Sequence, residues 1–398
     1  MSKSSEVLIN AFLADRTAPN PLGYRSPTWG RKVEDLCLVD PGEIAESVVV
    51  IEPWEHVGKR PSDNVGVMAS ENVAYVVDQI LGLPTLIVPA WKHGISDLQR
   101  FAALTSLAKL IVLEGGEPDV HVKDTFSEAF PRSDATQLIV ELLLKQVPFI
   151  GICLSHQLTA QAHVELIRES VRRLEKSKQS AFVAVSRRIA EMANRLKVEK
   201  GYGTVAQSWN DESFAVAKNE EVSHSNTKLY SYQDIDIPHV PNEITEAYRV
   251  VAKRFDAIID VALQYENDLH IQAFHGNEVS EESMRFVCWA YQQINHVITA
   301  YSLEAASTLD LQSLMTAPIG VEILASTHTQ SGNPLCEVAA TGIYWENGRK
   351  ALTTQFHPEL DESLMTASEG WAPSWEELKN SDGIRLLARI IQSVIWGR

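Results

Sequence analysis

One cysteine and one histidine–glutamate pair, far apart in the chain, are the residues best suited to covalent chemistry. Cys153 follows a short apolar run that begins at Val147, and the residues from Leu154 onward have a helical pattern. This pattern predicts a buried strand that delivers the thiol onto a tight turn at a helix N-terminus, where backbone N–H groups and the helix dipole stabilise a thiolate. His357 and Glu359 end another apolar strand and leave the same face of it, because they are two positions apart. The glutamate can therefore orient the histidine as the base for a cysteine nucleophile.

These two segments resemble those of the class I glutamine amidotransferases. The family's nucleophile turn is Gly-x-Cys-x-Gly-x-Gln, which Gly151, Cys153 and Gln157 match. The family's base strand is Phe-His-Pro-Glu, which residues 356–359 match in full. The resemblance implies that the cysteine, the histidine and the glutamate form a catalytic triad. The alternative is that the cysteine is a small buried thiol with a packing role only.

Ser155 departs from the family pattern, which has glycine at this position of the nucleophile turn. Glycine lets the strand and the helix pack closely, so a serine could crowd the turn. Because a hydroxymethyl group is a small addition, we expect Ser155 to tune activity and not to abolish it. On this interpretation, the substitution Ser155→Gly keeps or raises turnover.

A third segment is an apolar strand at 110–113 that leads into a glycine pair, whose second member is Gly116. It resembles the family's strand followed by Ser-Gly-Gly-Pro, with Glu114 and Glu117 in place of the serine and the proline. The resemblance implies that the N–H groups of Gly116 and Leu154 bind the oxyanion. Loss of one such donor typically costs about 3 kcal/mol of transition-state stabilisation. The alternative is an ordinary glycine turn.

A weaker match concerns substrate binding. His275 and Gly276 resemble the family's His-Gly-Asp-x-Val turn, which implies that their backbone binds the α-amino and α-carboxylate groups of glutamine, with Gln157 supplying a side-chain amide. His224 and Ser225 are a rival pair for the same role, since some family members use His-Ser. Either histidine could also be a solvated loop residue.

The order of apolar strands and amphipathic helices predicts the fold class. Strands and helices alternate, which is typical of an α/β fold with a doubly wound, mostly parallel sheet and helices on both faces. The predicted strands lie at 47–52, 84–89, 110–113 and 149–153, and the predicted helices at 70–81, 97–108 and 134–146. Active sites of such sheets lie at the carboxyl ends of the strands, where the candidate residues are found.

The chain is longer than a minimal domain of this kind, and the excess is helical. Residues 1–45 are rich in proline and glycine and are predicted to form an irregular N-terminal extension. Residues 46–398 are predicted to form one amidotransferase-like domain with helical insertions at about 163–200, 240–268 and 280–312. The insertions could dock a synthetase, cover the glutamine pocket or only enlarge the core.

Composition limits the class of protein. The chain has 398 residues, of which 45% are hydrophobic and 22% charged, as in a globular protein. No apolar run reaches the roughly 18 residues of a membrane helix. A net charge of −17 argues against a nucleic-acid partner. The four cysteines are scattered, so neither a zinc site nor a disulfide framework is predicted.

Further expectations concern location and chemistry. The N-terminus lacks an apolar signal core, which indicates a cytoplasmic protein. No metal or cofactor is predicted. The resemblance implies a glutaminase that hydrolyses the glutamine side-chain amide through a cysteinyl thioester. Because the sequence has no phosphate-binding Gly-Lys loop or second catalytic group, a separate synthase is expected to receive the ammonia. The alternatives are a γ-glutamyl hydrolase of peptides or conjugates, and a non-catalytic binding module.

Overall fold

The fold was analysed in a computed structural model of the chain. The residues that the structure describes are 30–54, 70, 72–74, 76–116, 118–122, 125–176, 179–196, 209, 214–218, 230–232, 234–236, 271–273, 277–305, 320–328, 334–359 and 382–396.

A nine-stranded sheet is the centre of the described structure. The strands, numbered along the chain, are β1 (Arg31–Lys32), β2 (Val48–Glu52), β3 (Thr85–Pro89), β4 (Leu110–Leu113), β5 (Phe149–Ile152), β6 (Val216–Lys218), β7 (Tyr230–Tyr232), β8 (Asp234–Asp236), β9 (Ile271–Ala273), β10 (Asn277–Val279), β11 (Gly320–His328), β12 (Pro334–Tyr344) and β13 (Lys350–Thr354). Nine of these thirteen described strands form the sheet, in the order β1-β3-β2-β4-β5-β13-β12-β11-β8, whereas β6 pairs with β10 and β7 pairs with β9 in two separate two-stranded sheets. Neighbouring strands from β1 to β13 in this order are parallel, and the pairs from β13 to β8 are antiparallel.

The described helices cover both faces of this sheet. They are α1 (Pro41–Glu46), α2 (Ala90–His93), α3 (Leu98–Thr105), α4 (Arg132–Leu144), α5 (Leu154–Glu175), α6 (Ser180–Arg195), α7 (Glu281–Ala305) and α8 (Asp382–Trp396), with a 3-10 helix at Leu36–Leu38 and a π-helix at Val76–Ile80. The mostly parallel α/β class predicted from the sequence is confirmed.

The parallel strands are buried on both faces, which explains their continuous apolar sequences. In β2, Val48 and Val50 face a cluster that includes α8, whereas Val49 and Ile51 face a cluster that includes α3 and α4. Successive side chains of a strand point to opposite faces, so five residues in a row can all be buried. The sheet therefore holds its strand ends, and the residues that follow them, rigidly.

A third apolar cluster lies among α5, α6 and α7. The apolar stripe at 164–174 was expected in an insertion that begins near 163. In the structure this stripe is part of α5, which runs unbroken from the nucleophile turn to Glu175. The predicted insertion at 240–268 lies outside the described residues. The three insertion boundaries remain a prediction.

Residues 31–45, which fall within the expected irregular extension, contain regular elements. β1 pairs in parallel with β3 at the sheet edge, and α1 follows. Pro41 starts α1, because a helix tolerates proline at its first position, where the missing N–H has no helical partner. Proline content alone therefore did not distinguish a loop from a helix start.

Helix ends differ from expectation by two or three residues. α3 ends at Thr105 and α4 spans Arg132–Leu144. The expected start of α3 agrees with the structure, because the Asp97 side chain accepts a hydrogen bond of 2.9 Å from the Arg100 N–H and caps the helix. Within the described ranges, no helix is both long enough and apolar enough to span a membrane.

Candidate active site

The nucleophile turn joins β5 to α5. Cys153 lies between them with φ of 48° and ψ of −104°, a conformation that is rare for a residue with a side chain. Its backbone N–H donates to Thr354 O at 2.7 Å, and its carbonyl accepts from the His156 N–H at 3.0 Å. These bonds from β13 and α5 hold the strained turn, and the thiol stands at the N-terminus of a 22-residue helix.

His357 and Glu359 lie beside this turn, immediately after β13. The His357 Nδ1 and the Glu359 Oε1 are 2.6 Å apart, and both side chains are buried. The backbone carbonyl of Glu359 accepts a hydrogen bond of 2.8 Å from Asn72 Nδ2, which fixes the segment. The structure thus brings together the three residues that the sequence predicted as a triad.

The electrostatics of His357 follow from its neighbours. Burial by itself lowers the pKa of an imidazole, because the cation loses hydration. The charges of Cys153 and Glu359, and the hydrogen bonds that His357 makes with both, outweigh burial and hold the pKa of His357 well above its usual range. The arrangement therefore stabilises an imidazolium next to a sulfur.

Two further buried carboxyl groups lie near this pair. Burial, followed by the charges of Glu52 and Glu359, raises the pKa of Glu114 well above its usual range, so Glu114 retains a proton more readily than an ordinary glutamate. Glu52 accepts hydrogen bonds from Ser70 Oγ at 2.5 Å and from Trp91 Nε1 at 3.3 Å. The raised pKa of Glu114 reduces the negative charge that this carboxyl group places near the histidine.

Ser155 has a specific partner. Its Oγ donates a buried hydrogen bond of 2.5 Å to the Glu114 backbone carbonyl, at the end of β4. The carbonyl of Ser155 accepts from Thr159 Oγ1 at 2.6 Å. The serine that replaces the family glycine thus links the nucleophile helix to the glycine-pair segment.

The glycine pair after β4 lies against the nucleophile. A Cβ on Gly115 would be 2.8 Å from His357 Cε1 and 3.0 Å from Cys153 Cβ, so only glycine leaves room for both side chains. A Cβ on Gly116 would be 2.9 Å from Trp54 Cβ and 3.4 Å from Leu154 Cδ2. The two predicted oxyanion donors, Gly116 and Leu154, are therefore neighbours, and their role stays a prediction.

A pair of glutamine side chains completes the surroundings of the sulfur. Gln157 Nε2 donates to Asn277 O at 3.1 Å and to Gln355 Oε1 at 3.2 Å. Gln355 Nε2 in turn donates to Cys153 Sγ at 3.6 Å. Sequence reasoning assigned no role to Gln355, which directly follows β13 and lies two residues before His357.

The predicted substrate-binding pair His275 and Gly276 lies outside the described residues, as do His224, Ser225 and Glu117. Asn277, the next residue in the chain, is described. Besides accepting from Gln157, it donates from Nδ2 to Asp119 Oδ1 at 2.9 Å. The start of β10 therefore lies beside the nucleophile helix.

His156, adjacent to the nucleophile turn, has other partners. Its Nδ1 lies 2.7 Å from Thr353 Oγ1, and its Nε2 lies 2.9 Å from Val338 O. Both ring nitrogens are thus engaged by β12 and β13. His156 anchors α5 to the sheet, and His357 is the histidine that contacts the sulfur.

Part of the chain matches a known protein family. Residues 93–245 match the family model described as glutamine amidotransferase class-I. The matched segment includes Cys153 and Gln157 and ends before His357. The resemblance inferred from the sequence is confirmed. No curated protein matches the sequence.

The chain also matches solved structures, among them the following three. A glutamine amidotransferase from Thermotoga maritima is 12% identical, with 88% of this chain and 98% of that chain covered and a TM-score of 0.40. The glutaminase domain of Trypanosoma brucei CTPS with bound acivicin is 14% identical, with 86% and 93% covered and a TM-score of 0.40. A glutamine amidotransferase from Methylobacillus flagellatus is 10% identical, with 88% and 95% covered and a TM-score of 0.42.

Proposed function

We propose that this chain, which contains a class I glutamine amidotransferase segment, is a glutaminase that hydrolyses the side-chain amide of glutamine through a thioester on Cys153. One observation carries the proposal. Cys153 occupies a strained turn at a helix N-terminus, His357 hydrogen-bonds to its side chain, and the Nδ1 of His357 lies 2.6 Å from Glu359 Oε1. A cysteine hydrolase requires a nucleophile in contact with a base, and a carboxylate that orients this base.

The first half of the proposed reaction forms the thioester. The thiolate of Cys153 attacks the amide carbon, and the negative charge moves to the carbonyl oxygen. The N–H groups of Leu154 and Gly116 are proposed to bind this oxygen. The imidazolium of His357 gives its proton to the leaving nitrogen, and ammonia departs as the carbonyl reforms.

The second half releases glutamate. His357, now neutral, takes a proton from water, and the resulting hydroxide attacks the γ-glutamyl thioester. The sulfur leaves as thiolate, and the active site returns to its starting charge. Glu359 holds the ring of His357 in one orientation and stabilises its cationic form without accepting the proton.

The ammonia is proposed to pass to a separate synthase. The exposed side of the helical layer formed by α6 and α7, which packs against the nucleophile helix α5, is the proposed docking region. Coupling of this kind usually gates the site through a conformational change, so we expect slow hydrolysis by the chain alone.

Glutamate release from glutamine by the purified chain tests the proposal. Cys153→Ala should remove activity to background, because no nucleophile remains, whereas the control Cys37→Ala should retain it. Addition of ammonia-consuming enzymes with their substrates should accelerate hydrolysis by the unmodified chain. Fast hydrolysis of γ-glutamyl peptides in preference to glutamine would contradict the proposal and support a γ-glutamyl hydrolase.

Covalent labelling provides an independent test. A glutamine-analogue electrophile should modify Cys153, and mass spectrometry should find the adduct there. Burial and Asp35 raise the pKa of Cys37, and burial followed by Glu322 raises the pKa of Cys288 to about 12, so neither of these thiols should react comparably. Labelling that persists unchanged in Cys153→Ala would refute the assignment of the nucleophile.

A further inference from the structure

We propose that Gln355 is an additional catalytic residue, whose side-chain amide donates a hydrogen bond to the Cys153 sulfur and stabilises its thiolate form. The donor atom Nε2 lies 3.6 Å from Sγ, a hydrogen-bonding distance for sulfur. The inference rests on the proposed function only in taking Cys153 as the nucleophile.

The orientation of the Gln355 amide follows from its partners. The backbone carbonyl of Asn277 can only accept, so the Gln157 group that faces it at 3.1 Å must be the NH2. The same NH2 lies 3.2 Å from the Gln355 side chain, which must therefore present its oxygen there. The NH2 of Gln355 is left to face the sulfur. The hydrogen bonds of Gln157 therefore determine that Gln355 donates to Cys153.

The position of Gln355 is rigid. Only 1% of the residue is exposed, and its backbone N–H donates to Ala339 O at 2.7 Å. The side chain is also held by Gln157, whose own amide is tied to the start of β10. A donor that is already in place costs little reorganisation when charge develops on the sulfur.

The chemical consequence is a second source of stabilisation for the anion. His357 supplies a positive charge and a hydrogen bond to the sulfur, and Gln355 supplies a neutral donor from the same segment that follows β13. Both interactions act where water is excluded, and a hydrogen bond to a charged group is stronger there than one between neutral groups. Removing the amide should lower the fraction of Cys153 present as thiolate at neutral pH.

The rate of Cys153 alkylation by iodoacetamide, measured across pH, tests the inference without requiring glutamine turnover. In Gln355→Met, which keeps the length of the side chain without a donor, we expect the midpoint of the pH–rate profile to rise by about one unit. The matched control is Gln161→Met, because Gln161 is a buried glutamine of α5 whose amide bonds to Glu165 at 3.0 Å. Its profile should coincide with that of the unmodified chain.

Gln355→Glu provides the second variant if Gln355→Met does not fold, as judged by circular dichroism. It keeps the shape of the side chain but replaces the donor next to the sulfur with a carboxylate oxygen. We expect an upward shift at least as large as for the methionine variant. A folded variant of either kind whose midpoint is unchanged would overturn the inference, whatever the outcome of the glutaminase assay.

Discussion

Two buried histidines, one after the end of β13 and one in α5, have opposite protonation behaviour. His357 has a pKa held well above its usual range despite burial. His163 lies in α5, where burial lowers its pKa to about 3. The Nδ1 of His163 is 2.9 Å from the Tyr291 hydroxyl, which is neutral. Burial penalises the cation at both places, and charged partners, Cys153 and Glu359, reverse the outcome at only one.

The difference shows how the molecule separates chemistry from packing. The described part of the helical layer around His163 is rich in apolar and aromatic groups; Trp209 and Phe286, for example, are in edge contact with ring centroids 5.5 Å apart. At the carboxyl ends of β4, β5 and β13, by contrast, charged side chains are buried together. A parallel sheet concentrates reactive groups at this edge, because several strands end there side by side.

Removing the charged partner of His357 should have the largest effect. Glu359→Gln keeps the size of the side chain but removes its charge, so the pKa of His357 should fall and its orientation should loosen. We expect glutamine turnover to decrease by about 10²- to 10⁴-fold, in line with a lost orienting carboxylate in a hydrolase triad. Steady-state glutamate release across pH measures both the loss and the shift of the profile.

The control for this substitution is Glu322→Gln, which also alters a buried glutamate, one that accepts from the Tyr344 hydroxyl at 3.2 Å. It lies on β11, in the antiparallel part of the sheet, and should leave turnover within about twofold of the unmodified chain, as expected away from the chemistry. Equal losses in both variants would indicate a general effect of buried charge and would remove the special role of Glu359.

Substitution of His163, the histidine with the lowered pKa, should change the stability of the chain and not its activity. Because the folded pKa of His163 is below its unfolded value, the unfolded chain binds the proton, and stability is lost as pH falls from about 6.5 towards 3. His163→Asn keeps a hydrogen-bonding group near Tyr291 but cannot titrate. Between about pH 6.5 and pH 4.5 the unmodified chain should lose about 2 kcal/mol more unfolding free energy than the variant.

Urea unfolding at several pH values measures this difference. The substitution also changes the unfolding free energy by an amount that is the same at every pH, and that amount does not affect the comparison. Parallel pH dependences would show that His163 binds its proton over the same pH range in the folded and the unfolded chain, which would contradict the contrast between the two histidines.

A smaller effect is expected at Ser155, which bonds to Glu114, another position that departs from the family pattern. Ser155→Ala and Ser155→Gly both remove the 2.5 Å bond to the Glu114 carbonyl, so the segment that precedes the glycine pair should move more freely. We expect turnover to fall about 3- to 10-fold in both variants, the equivalent of one ordinary hydrogen bond. Turnover at or above that of the unmodified chain in Ser155→Gly would instead support the crowding expected from the sequence alone.

Much of the fold and of the candidate triad could be predicted because the signals are local. A run such as Val48–Glu52 predicts a buried parallel strand from its own composition. His357 and Glu359 follow the end of β13, where their two-residue spacing still keeps the two side chains in contact. The turn at Cys153 was predicted from the residues on either side of it. The start of α1 at Pro41 was missed, because proline is compatible with both a loop and a first helical turn.

The tertiary structure alone decided the rest, because its interactions join residues that are distant in the chain. Ser155 is 41 residues from the Glu114 carbonyl that it bonds, and Gln355 is 202 residues from the sulfur that it contacts. The pKa directions of His163 and His357 also depend on which groups the fold places around each ring. Residue types and spacing determined which side chains could react, and packing across the sheet determined which charges and donors surround them.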